Sequence, residues 1–156
     1  MDEPNSIGAS GEVEYCYSIR LLLTHPTMRG SEITGALGME PEYSWDIGQG
    51  GHKHTMWGHV SWTQGRRLFF DEVHDVLEWL QREQKFISQF LSSGGQLQVI
   101  VQLPGSINIG STLKLETMTL ASKLGVTIGV EVFPKLPGLN RGAGRPAISG
   151  DPGIPK

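Results

Sequence analysis

With 156 residues, one cysteine and a net charge of −3, the chain has the length of a single domain and cannot form an intrachain disulfide. Its Lys and Arg residues are interspersed with acids, which excludes the concentrated basic stripe that nucleic acid requires. No apolar run is long enough for a bilayer span, and the acidic start Met1-Asp2-Glu3-Pro4 is unlike a secretory leader, so a cytoplasmic domain without membrane contact is expected.

Residues 1–11 are polar and read as a flexible N-terminus. From residue 12, Val13, Tyr15, Tyr17, Ile19, Leu21 and Leu23 alternate with Glu14, Cys16, Ser18 and Arg20, the period of a half-buried strand. His25-Pro26 ends it, because proline cannot donate to a ladder. Ser31 is the expected N-cap of a short helix carrying Ile33, Ala36 and Leu37, and Gly38 the expected left-handed stop. Residues 42–55, with Gly48, Gly50 and Gly51, read as a long irregular loop, and loops of that length are often functional. A second strand follows, with Met56, Gly58, Val60 and Trp62 on its apolar side and Trp57, His59 and Ser61 on its polar side. Gln64-Gly65 reads as a turn, after which 67–70 pair back briefly.

Val73, Val76, Leu77, Leu80, Ile87 and Leu91 recur at helical spacing and predict one long helix over 71–91, capped by Asp71 and stopped by Gly94-Gly95. Leu97, Val99, Val101 and Leu103 mark a third strand. Ser111 is the expected start of a helix ending at Leu124-Gly125, and Val126, Ile128, Val130 and Val132 form the last strand. Residues 134–156, rich in Pro and Gly, lack the apolar pattern needed to offset ordering entropy and read as a disordered tail. Strands with one apolar and one polar side predict an α+β two-layer sandwich over 12–133. Its sheet would be mostly antiparallel, of four to five strands, with helices on one face in the ferredoxin-like style.

Several of these segments carry a resemblance. Tyr17-Ser18-Ile19-Arg20, the run Glu32-Ile33-Thr34, Leu37-Gly38, Glu40-Pro41, Ser44-Trp45 and Gly48, and the pair Ser61-Trp62 resemble the bacterial family called domain of unknown function 4279 (DUF4279). The later long helix, the strand 97–103 and the Leu124-Gly125-Val126 turn are similar to it too, so the likeness spans roughly 13–133, with 32–48 its specific part. The resemblance implies a small α+β domain with no established catalytic residues and, by analogy, a setting of toxin–immunity type. The His-rich segment after Gly48 departs from the family pattern, so no roles carry over to it.

The chemistry-bearing residues form no catalytic constellation. CxxC and HExxH spacings are missing, Cys16 has only carboxylate and hydroxyl neighbours in sequence, and no cofactor or metal is expected. His52, His54 and His59 cluster within eight residues, but strand parity separates His59 from the other two. The expected interaction surface is the polar side of the sheet: Glu14, Arg20, Trp57, His59, Gln98, Gln102 and Glu131, with Trp57 as its aromatic anchor. The sequence thus points to a non-enzymatic protein-interaction domain of inhibitor or immunity type. The alternative is a small-ligand or metal-binding protein using loop 42–59 with Trp45, His52 and His54.

Overall fold

A computed structural model describes residues 15–65, 67–105 and 108–133; the flexible ends expected for 1–11 and 134–156, and Glu14, lie outside them. In chain order these residues form β1 (Tyr15–His25), α1 (Gly30–Leu37), β2 (Tyr43–Trp45), a 3₁₀ turn at Gln49–Gly51, β3 (Thr55–Gly65), α2 (Phe69–Arg82), α3 (Gln84–Ser92), β4 (Gln96–Pro104), α4 (Leu115–Leu124) and β5 (Thr127–Phe133). The strands make one sheet in the order β2-β3-β1-β4-β5. All neighbours are antiparallel except β4 and β5, which are joined through α4 and run parallel. This is the expected α+β architecture.

The period-two pattern of β1 explains its central place. Tyr17, Ile19, Leu21 and Leu23 all point to one side, where they meet Leu97, Val99 and Val101 of β4 in register and the buried stripes of the helices. Val73, Leu77 and Leu80 of α2 and Ile87 and Phe90 of α3 are fully or almost fully buried there, each contributing roughly 1.5–3 kcal/mol of apolar burial. All four helices lie on this side. Gly38 and Gly125 end α1 and α4 in the left-handed conformation that side chains other than glycine resist.

The structure corrects six local expectations. The helix of 71–91 is two helices, broken at Glu83 (φ −94°, ψ 21°), which turns Phe90 toward the ring of His25, 5.0 Å away. No Pro or Gly marks that break, so only the packing target reveals it. Gln64-Gly65 is no turn, because β3 continues through it, paired with Cys16 and Tyr15, and Phe69 starts α2 instead of pairing back. The loop 42–55 contains β2, whose aromatic–polar–aromatic alternation pairs with Gly58, Trp57 and Met56. Ser31 and Asp71 sit inside their helices, behind N-caps Arg29 and Leu68. Ser111 precedes α4 without starting it, and its hydroxyl accepts a hydrogen bond from the Phe70 amide at 3.1 Å, capping α2 from across the chain.

The sixth correction bears on function. Register places Trp57 opposite Leu23 and His59 opposite Leu21, so the supposed polar side of β3 is its helix-covered side. Trp57 is 0% exposed, and its indole N–H donates to the Thr34 hydroxyl of α1 at 3.0 Å. It is a core residue, not an interface anchor. Met56, Gly58 and Val60 occupy the opposite face, and Gly58 is required there because a Cβ would collide with the Tyr43 ring.

Candidate functional site

The sheet face that no described helix covers, called helix-free below, carries rows of side chains set by the strand register. One row aligns Ser18, Gln102 and Glu131; the next aligns Val60, Arg20, Ile100 and Gly129; the third aligns Gly58, Leu22, Gln98 and Thr127. Arg20 reaches diagonally across β4 to Glu131 on β5. Its Nη2 donates to Glu131 Oε1 at 2.7 Å. The other oxygen, Oε2, accepts from Gln102 Nε2 at 3.1 Å, and Gln102 Oε1 accepts from the Ser18 hydroxyl at 2.9 Å. Four residues from three strands therefore form one directed network. Each amide and carboxylate oxygen in it has a defined role, which fixes the Gln102 amide in a single orientation. Arg20 Nε is buried and has no partner among the described residues.

At the β2 edge of the same face stands an aromatic stack. Tyr43 lies over Gly58, its ring 5.7 Å from that of Trp45, and His52 stacks on Trp45 at 4.8 Å and 22°. The loop that carries His52 is tightly built. Asp46 Oδ1 accepts from the Gly30 amide, the Ile47 amide donates to the Thr55 hydroxyl, and the Gly48 amide donates to the His52 carbonyl. His54 departs from this stack and lines a cavity of about 220 Å³ at the sheet end with His25. Among the described residues, no three His, Cys, Asp or Glu side chains converge as a metal ion requires.

His25 itself is structural. Its Nδ1 accepts from the Thr27 and Met28 amides at 3.1 and 2.7 Å, so the proton sits on Nε2. The Ser93 hydroxyl, 3.0 Å from Nε2, accepts that proton while donating to the Gln89 carbonyl. Burial holds His25 below its ordinary value of 6.5, against a smaller upward pull from Glu32.

Of the seven expected surface residues, Arg20, Gln98, Gln102 and Glu131 share the helix-free face, where Ser18 and Ile100 are buried between them; Trp57 and His59 lie on the covered side. Ser18 and Tyr43 belong to the site although sequence reading did not select them. The Tyr43-Ser44-Trp45 alternation was the available signal for the second.

On the covered side His59 lines a groove of about 240 Å³ with Ile19, Leu21, Met39, Val76 and Trp79; Ser61 and Asp75 complete it. The Glu40 carbonyl can only accept, so His59 Nδ1, 2.9 Å away, carries a proton, and in the neutral ring Nε2 is the acceptor. A separate polar cleft holds Asp71, whose carboxylate is kept below its usual range by the Lys114 ammonium bonded to it at 2.8 Å. Beside it Arg67 pairs with Asp75 and with Glu72, which leaves an exposed ion-pair network.

None of the described helices is long and apolar enough to cross a membrane. No family model, curated protein or solved structure matches the chain.

Proposed function

We propose that this chain is a non-enzymatic interaction domain that binds a protein partner through its helix-free sheet face, with an inhibitor- or immunity-type protein as its specific form. The observation that carries the proposal is the Ser18–Gln102–Glu131–Arg20 network. An ion pair whose side chains are 22% and 41% exposed adds little to stability, so the value of such a network lies in holding donors and acceptors in one geometry. The stack of Tyr43, Trp45 and His52 on the same face supplies rigid aromatic area of the kind that dominates interfaces. The likeness of the 32–48 run to domain of unknown function 4279 belongs to the same proposal. Affinity capture from lysate of the source cells tests it. One stoichiometric protein is expected with the unaltered chain and with neither Arg20→Ala nor Trp45→Ala. Identical retention by all three chains would refute the face.

A second reading rests on His59. An acceptor nitrogen of fixed tautomer in an apolar groove suits a small apolar molecule with one hydrogen-bond donor. It replaces the loop histidines of the alternative reading, because His52 is stacked on Trp45 and His54 faces elsewhere. Indole is a suitable probe: it should shift the imidazole ¹⁵N resonances of His59, and unchanged resonances at saturating indole would end this reading.

A further inference from the structure

The strands differ sharply in what their free edges offer. β2, at one end of the sheet, is three residues long; β5, at the other, has seven, and no strand pairs with its outer edge among the described residues. A long free edge is a template for another strand unless charge, proline or a bulge blunts it. Among the described residues nothing blunts it. β5 contains one charged residue, Glu131, and that carboxylate is turned inward to Arg20 and Gln102.

The side chains of β5 are unexpectedly bare. Val130 and Val132 are 49% and 62% exposed although they have the parity of the core residues Val101 and Leu103. The chain reverses at Gly125, so α4 runs back beside β5 and its first turns lie toward the Val130–Val132 end. Those turns present Leu115 and Met118, 69% and 44% exposed. Exposed apolar side chains therefore occur both on β5 and on the first turns of the helix that precedes it.

We infer that this edge pairs with the same edge of a second copy of the chain, β5 against β5 antiparallel about a twofold axis at Val130. The strand's own sequence favours this occupant. With Val130 opposite its twin, Val132 faces Ile128 of the other copy and Ile128 faces Val132, which gives an unbroken apolar stripe on the helix side. On the other face Glu131 meets Gly129, so no like charges oppose each other and the Arg20–Glu131 pair is preserved. A twofold pairing is closed, and the three-residue β2 edge is too short to receive β5 and propagate a fibre. The product is a ten-stranded sheet with one continuous helix-free face.

Sedimentation equilibrium up to hundreds of micromolar, with Val130→Lys/Val132→Lys as the comparison, tests the pairing. The unaltered chain is expected at twice the mass of one chain, and the double variant at the mass of one with an unchanged far-UV spectrum. Both positions are largely exposed, so the monomer tolerates the change. A register test accompanies it. In a Cys16→Ser background, Val130→Cys should oxidise to a covalent dimer, because directly opposed residues lie about 4.5–5.5 Å apart between Cα atoms, within disulfide reach. Thr127→Cys, placed opposite Phe133, should oxidise far more slowly than Val130→Cys. A monomer throughout the concentration range overturns the inference. So does a dimer that survives both lysines, or one that crosslinks through Thr127→Cys in preference to Val130→Cys.

Discussion

Replacing Trp57 by Phe tests whether this residue holds the fold together or waits for a partner. Its indole is fully buried and donates to Thr34 at 3.0 Å, tying α1 to β3. The smaller ring leaves roughly 40 Å³ unfilled, worth about 1 kcal/mol at 24 cal/mol per Å³, and the lost hydrogen bond adds about 1 kcal/mol more. Thr34→Val acts on the same bond from the other side and strands a buried indole N–H, at about 1–3 kcal/mol. In the Trp57→Phe background that N–H no longer exists, so Thr34→Val should then cost under about 0.5 kcal/mol. Urea unfolding followed by far-UV circular dichroism reads both, since the altered residue is itself a fluorophore. With an m-value of about 1–1.5 kcal/mol/M, Trp57→Phe should lower the midpoint by about 1–2 M. A shift under about 0.3 M, or a Thr34→Val effect undiminished by Trp57→Phe, would refute the core assignment.

Three further outcomes are expected. Glu131→Gln should change stability by under about 1 kcal/mol in thermal melts, because the pair it weakens is partly solvated, yet it should abolish capture of the partner. Gly58→Ala should force the Tyr43 ring off the sheet, costing about 1–3 kcal/mol by chemical unfolding and exposing Trp45 to acrylamide quenching; unchanged quenching would mean that the stack does not depend on Gly58. His25 is held below 6.5 when folded, so on acidification the unfolded chain binds the proton first. The stability contributed by neutral His25 is then complete above about 6.5 and is lost as pH falls toward the folded value. His25→Asn should weaken the protein at neutral pH and flatten that part of its stability–pH curve.

Alternation and helical spacing are local properties, and they carried most of the architecture. The pattern of Tyr17, Ile19, Leu21 and Leu23 announced β1, the Leu37-Gly38 and Leu124-Gly125 pairs announced two helix ends, and one-sided strands announced helices on a single face. The open face was partly legible for the same reason: Arg20, Gln98, Gln102 and Glu131 occupy the polar phase of clearly alternating strands. β3 was misread because both of its sides carry large residues, so composition could not choose a phase.

That choice belongs to pairing. Leu23 opposite Trp57 settles which side of β3 is buried, and a one-residue slip would have exposed the tryptophan. The break at Glu83, the capping of α2 by Ser111 and the joining of Ser18, Gln102, Glu131 and Arg20 likewise depend on residues up to 111 positions apart in the chain. By itself, then, the sequence determined which segments are strands and helices and which of their sides are apolar, since those follow from backbone periodicity and burial. Only the tertiary structure decided which polar side chains meet and which aromatic is core, because register and close approach are properties of pairs of segments.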